Sequence, residues 1–158
     1  MKLLLNLFLL LTVCGLAGAA PAKPRPEIMG ISLDMKRDAA RVRLQSLGTL
    51  EKEERKRQEV WAIKDPRVSH LLVGYDAEYR VRYVTAIARS GGPRIRYQEV
   101  ADLKSAQQSH NQGNHKFTWE IDTRRSHRGY ILMARGHDPE YLDSYSVKKL
   151  DNGEEEID

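Results

Sequence analysis

A recurrence constrains this chain more than any other feature. Val60-Trp61-Ala62-Ile63 is a strand-like run that stops at Lys64-Asp65-Pro66-Arg67, and a second apolar run, Leu71 to Tyr75, follows it. The same order returns from Lys116 to Asp122, then through Thr123 to Arg128, then into Gly129 to Met133. An acidic residue, an arginine and a Ser-His pair separate the two apolar runs each time. Trp61 and Trp119 are the only tryptophans and stand 58 residues apart. Apolar runs of this length, broken by turn residues, read as antiparallel hairpins. Each large indole is expected to pack its own meander against its helix, a structural role for Trp61 and Trp119.

The segments around the hairpins complete the plan. Arg80 to Arg89 is a third strand, with Val81, Tyr83, Thr85 and Ile87 expected on one face and Arg80, Arg82, Val84 and Ala86 on the other. Ile28 to Leu33 reads as a short strand or docking segment. Ser32 or Asp34 is the expected cap of a helix beginning near Met35, with Met35, Ala39, Val42 and Leu47 on its apolar stripe and Gly48 as its stop. Thr49 to Gln58 reads as a charged helix extension or a loop. Ser90-Gly91-Gly92-Pro93 breaks the chain. Arg94 to Gln108 then reads as a short strand running into a helix, and Tyr141 to Leu150 as a last strand.

The expected class is therefore α+β: two helix-plus-antiparallel-meander units, residues 28–89 and 94–150, that share or pack their sheets. One such unit is too small to bury much core alone. A single α+β domain with a chance repeat is the alternative.

The two ends read differently. Residues 1–20 have a basic start at Lys2, an apolar stretch from Leu3 to Val13 and the small residues Ala17-Gly18-Ala19, the layout of a secretory signal peptide. Residues 21–27 are a proline-rich leader. Cys14 is the only cysteine, and it leaves with the signal unless it is lipidated; Val13 stands where a lipidation signal wants a small residue. Disulfide and thiol chemistry then have no donor in the mature chain. The acidic tail, residues 151–158, holds five of the 22 acids. With the tail acids and Lys2 set aside, residues 21–150 carry 25 basic and 17 acidic residues, a net of +8. The tail is expected to be mobile and to lie beside a basic folded part.

No pattern demands chemistry. His70, His110, His115, His127 and His137 lack metal-ligand spacing, so neither a metal nor a cofactor is expected. Ser69-His70 and Ser126-His127 are adjacent on strands, where neighbours point to opposite faces. A hydrolase would need His70 or His127 to meet a distant acid such as Asp122 or Asp143 in a cleft. Arginines and tyrosines remain as interface anchors: Arg80, Arg82, Tyr83, Arg124, Arg125, Arg128, Tyr141 and Tyr145 are the candidate binding residues. Anionic lipid is a second class of partner for them, whereas an export signal argues against nucleic acid.

Ile31, Met35, Val42, Leu47, Gly48 and Trp61 sit where a known pattern has an apolar start, a short helix, Leu-Gly and a first-strand tryptophan. In these residues the chain resembles the small outer-membrane lipoprotein domain of the barrel-assembly accessory family, and the related beta-lactamase-inhibitor-like fold. The resemblance covers residues 28–88 closely and 94–150 by layout. It implies a tandem of helix–meander units and a non-enzymatic envelope or secreted protein that binds another protein.

Overall fold

The computed structural model describes residues 23–55, 57–121 and 129–150. The hairpin of β1 (Glu27–Ile28) and β2 (Ile31–Ser32) leads into α1 (Arg37–Leu47). Four strands follow: β3 (Gly48–Glu54), β4 (Gln58–Ile63), β5 (Val68–Tyr75) and β6 (Val81–Ala88). Next come β7 (Ile95–Arg96), α2 (Tyr97–Val100) and a 3-10 turn (Leu103–Ser105). The remaining strands are β8 (Gln107–Asn111), β9 (Asn114–Ile121), β10 (Tyr130–Gly136), β11 (Tyr141–Leu142) and β12 (Ser144–Lys149).

One sheet dominates. Its eight strands run in the order β3-β4-β5-β6-β12-β10-β9-β8, and each neighbouring pair is antiparallel. This corrects the expectation of an α+β chain in two helix-plus-meander units: the class is mostly β, built on a single eight-stranded sheet. The physical reasons are local. Thr49 to Glu54 is a strand rather than a helix extension, because it lies at the sheet edge, where charged side chains reach water. The expected second helix stops after four residues. Asp102 Oδ1 accepts the Lys104 N–H at 3.1 Å as the cap of the 3-10 turn, and Trp119 Nε1 donates to the Asp102 carbonyl at 2.8 Å, so a separate short turn replaces the continuation of α2.

α1 also departs from its expected stripe. Ala40 and Leu44 are buried, while Ala39 and Val42 face water. Its cap position is Lys36 rather than Ser32 or Asp34. Gly48 does end the helix, donating its N–H to the Leu44 carbonyl, and passes straight into β3. A Cβ there would stand 1.8 Å from the Ala62 carbonyl oxygen, so close approach, not a left-handed turn, requires glycine.

The alternation along β6 is broken. A register shift opposite Gly74 and Tyr75 places Val81, Val84 and Ala86 together in the core, where strict alternation grouped Val81 with Tyr83. The core lies on one face of the sheet. Trp61 and Trp119 are both buried there, with Leu71, Val73, Val84 and Val147, and the two short strand pairs, α1 and α2 cover them. Among the described residues no helix is long and apolar enough to cross a membrane. The expected signal peptide at residues 1–20 and the acidic tail at 151–158 lie outside the described residues.

Candidate functional site

Two places bring polar chemistry together: a carboxylate on the covered face, and the opposite, open face of the sheet. Glu59 precedes Trp61 by two residues on β4, so both side chains enter the core. Glu59 is fully buried. One oxygen accepts Arg37 Nε at 2.9 Å and Arg41 Nε at 2.6 Å. The other accepts Trp61 Nε1 at 3.0 Å and the Tyr75 hydroxyl at 2.9 Å. Arg37 and Arg41 are four residues apart on α1, and both also reach Glu53 on β3, at 2.6 and 2.8 Å. Burial works to raise the Glu59 pKa, but the bonds from Trp61, Arg41, Arg37 and Tyr75 outweigh it and hold the carboxyl below its ordinary range. Burial and the Glu59 charge push the Tyr75 hydroxyl well up. A carboxylate with four donors and no solvent has no capacity left for proton transfer; this cluster fastens α1 to the sheet.

The open face is wide and partly exposed. Reading the registers across, Lys52, Val60, Leu72, Thr85, Ser146, Met133, Thr118 and Gln107 form one row from edge to edge. The six central members are each partly exposed. Flanking rows add Tyr83 and Ile87 on the first half and Lys148, Arg135 and Lys116 on the second. Glu120 joins the Lys148 row across Ile131, so the face is mixed: Val60, Leu72, Tyr83, Ile87 and Met133 are apolar members, and Lys116, Arg135 and Lys148 are cations of the second half. Among the described residues no ion pair engages Lys116, Arg135 or Lys148. Tyr83 lies flat over Gly74 and its hydroxyl donates to Gln58 Oε1. Burial, then the Glu54 charge, raises the Tyr83 pKa.

The structure separates the residues singled out in the sequence. Tyr83 is on the open face, Tyr145 on the covered one, opposite Ala86 and Ala134. Tyr141 lies at the end of the molecule under Arg94, whose guanidinium carbon is 4.0 Å from the ring centre. Arg80 donates to the Asp34 carbonyl at 3.3 Å, and Arg82 stands in the β6 shift. Arg124, Arg125 and Arg128 lie outside the described residues. Arg89 is spent on three carbonyls, those of Asp65, Ile63 and Val68. Sequence reasoning missed Glu59, Lys116, Arg135 and Lys148; alternation with buried Trp61 was the available signal for Glu59.

Among the described residues each histidine has a polar or ring neighbour of its own. A register shift between Val68 and His70 lets Ser69 Oγ come within 3.0 Å of His70 Nδ1, which strict alternation forbade. His70 Nε2 is 3.2 Å from Glu51. Ser69 has one hydroxyl proton, however, and the Ile87 carbonyl at 3.2 Å competes for it. Asp143, one of the acids considered for His70, pairs instead with His137 at 2.7 Å. His127 and Asp122 lie outside the described residues. The His110 and His115 rings meet across the β8–β9 pair with centres 4.4 Å apart and planes tilted by 47°, and no cluster of three or more metal-ligand side chains occurs among the described residues. The chain matches no protein-family model, and no curated protein or solved structure matches it.

Proposed function

We propose that this chain is a non-enzymatic, secreted or periplasmic protein-binding module of a bacterial envelope, and that its partner seats on the open face of the sheet. The observation that carries the reading is the row from Lys52 to Gln107 with the rows that flank it: a continuous surface one sheet wide that sets apolar side chains beside Lys116, Arg135 and Lys148, with no element of the described chain over it. Its apolar members, Val60, Leu72 and Met133 among them, supply anchors of the kind that dominate protein interfaces once desolvated. Lys116, Arg135 and Lys148, which make no ion pair among the described residues, favour a partner that sets acidic residues beside an apolar ridge. The export signal read at residues 1–20 supplies the location.

The test uses the full chain and detergent-solubilised envelope of its host. Wild type, Leu72→Asp and Lys148→Glu are immobilised and washed at low and high salt. One stoichiometric protein is expected to stay on wild type at high salt. Leu72→Asp should weaken its retention by roughly tenfold or more, and Lys148→Glu should weaken it most at low salt. Matched melting curves show that the variants are folded. Retention indifferent to both substitutions would move the interface off this face. Retention of anionic lipid alone, lost at high salt, would replace the protein partner with a membrane surface.

A further inference from the structure

The covered side of the sheet is not sealed. Between the proline-rich leader, the first hairpin and α2 there is a cavity of about 560 Å³. That lies within the range of small-molecule sites, about 300–1,000 Å³. Val68, Ile95 and Leu132 give it an apolar floor, and each is buried in the core. Lys23, Arg25 and Arg67 bring three cations to it.

Its acids are already occupied. Asp65 accepts the N–H groups of Arg67 and Val68 at 2.7 and 3.0 Å. Glu99 accepts the Arg96 N–H at 2.9 Å and an Arg67 Nη at 2.6 Å. Glu27 accepts the Ser32 hydroxyl at 3.3 Å. The donors are not. Among the described residues Lys23 and Arg25 make no ion pair or side-chain hydrogen bond. Arg67 has spent one Nη on Glu99, and its Nε is buried with no partner. The hydroxyl of Tyr145, which lines the same cavity, also has none among the described residues. Unmatched donors above an apolar floor are the arrangement that an amphipathic anion completes.

We propose that this cavity binds a small anionic amphiphile: its apolar body lies on Val68, Ile95 and Leu132, and its carboxylate or phosphate is held by Arg67 and Tyr145, with Lys23 and Arg25 at the rim. Arg67, whose side chain is 37% exposed, exchanges its contact with Glu99 for the anion and presents its fork to it. Burial pushes the Tyr145 pKa up, with the Arg67 charge opposing, so the phenol keeps its proton and acts as a donor. The site is on the other side of the sheet from the protein-binding face and does not depend on it.

The full chain is titrated calorimetrically with decanoate, decyl phosphate and decyltrimethylammonium, each as monomer. One saturable site is expected for at least one of the two anions and none for the cation; the tighter anion identifies the headgroup. Arg67→Gln should weaken it roughly tenfold or more. Tyr145→Phe, which keeps the ring in the wall, should weaken it about three- to tenfold. Val100→Phe fills the cavity and should reduce binding as well, while Leu72→Asp on the open face should leave it unchanged. No saturable binding of either anion, equal binding of the cation, or full affinity in both Arg67→Gln and Tyr145→Phe with unchanged melting curves would each overturn the site.

Discussion

At the scale of single residues, Glu59 is a buried carboxylate held by four donors. It is ionised in a core because two guanidinium groups, an indole and a phenol replace the water it lost. Glu59→Gln removes the charge and leaves Arg37 and Arg41 with Glu53 as their remaining carboxylate. The expected loss is about 2–4 kcal/mol in urea unfolding, below that of a sealed pair because Arg41 remains 33% exposed. Acid should act the same way. The folded pKa of Glu59 is below its unfolded value, so its contribution is complete above about pH 4.3 and is lost as pH falls through the folded value. The gap between wild type and Glu59→Gln should therefore narrow as pH is lowered from about 7 to about 2.5. A gap of constant size over that range would mean that Glu59 is not held as a carboxylate. The sequence contained this arrangement in a form that apolar periodicity does not detect. The buried face of α1 is Arg37, Ala40, Arg41 and Leu44, half of it ionic, and a search for apolar spacing settles one residue away on Ala39 and Val42.

Among the elements, strands of mixed character were the hardest to read. Hairpins with apolar runs, β4 with β5 and β9 with β10, are legible because burial and alternation agree. β3 and β8 are edge strands of charged and polar residues, Gly48–Glu54 and Gln107–Asn111, and such composition also suits a solvated helix or loop. The register shifts in β5 and β6 are equally silent in sequence, since the extra residue changes faces without changing composition. Two glycines allow the element contacts to be ranked. At Gly48 a Cβ would meet backbone, the Ala62 carbonyl at 1.8 Å, which neither α1 nor β4 can yield without moving. At Gly74 it would meet only the Tyr83 ring, at 2.0 Å, and a side chain on the open face can swing away. Gly48→Ala should cost about 3 kcal/mol or more and Gly74→Ala about 1 kcal/mol. Thermal melts of the two variants check the order; an equal or reversed ranking would show that α1 and β4 are not locked together at Gly48.

For the whole molecule the decisive contact is the β6–β12 seam. It joins four strands from each half of the chain into one sheet, with Val84 opposite Val147 and both fully buried. The repeated apolar runs were visible in the sequence because they are local features, although the two helix-plus-meander units read from them do not form. The seam was not visible, because which strand of one half pairs with which strand of the other depends on contacts far apart in the chain. Separating the halves would expose two unpaired strands and split the core. The sheet should therefore unfold as one cooperative unit. The tryptophans allow the test, because Trp61 is on β4 and Trp119 on β9, on opposite sides of the seam. In Trp119→Phe the remaining fluorescence reports the first half; in Trp61→Phe it reports the second. Each substitution lowers stability by its own amount, so fluorescence is compared with far-ultraviolet circular dichroism within each variant. Coincident urea transitions by the two probes are expected in both. If fluorescence in either variant reports a transition that the circular dichroism resolves as only one of two steps, then the halves are separately stable, and the seam is a docking contact rather than part of a single core.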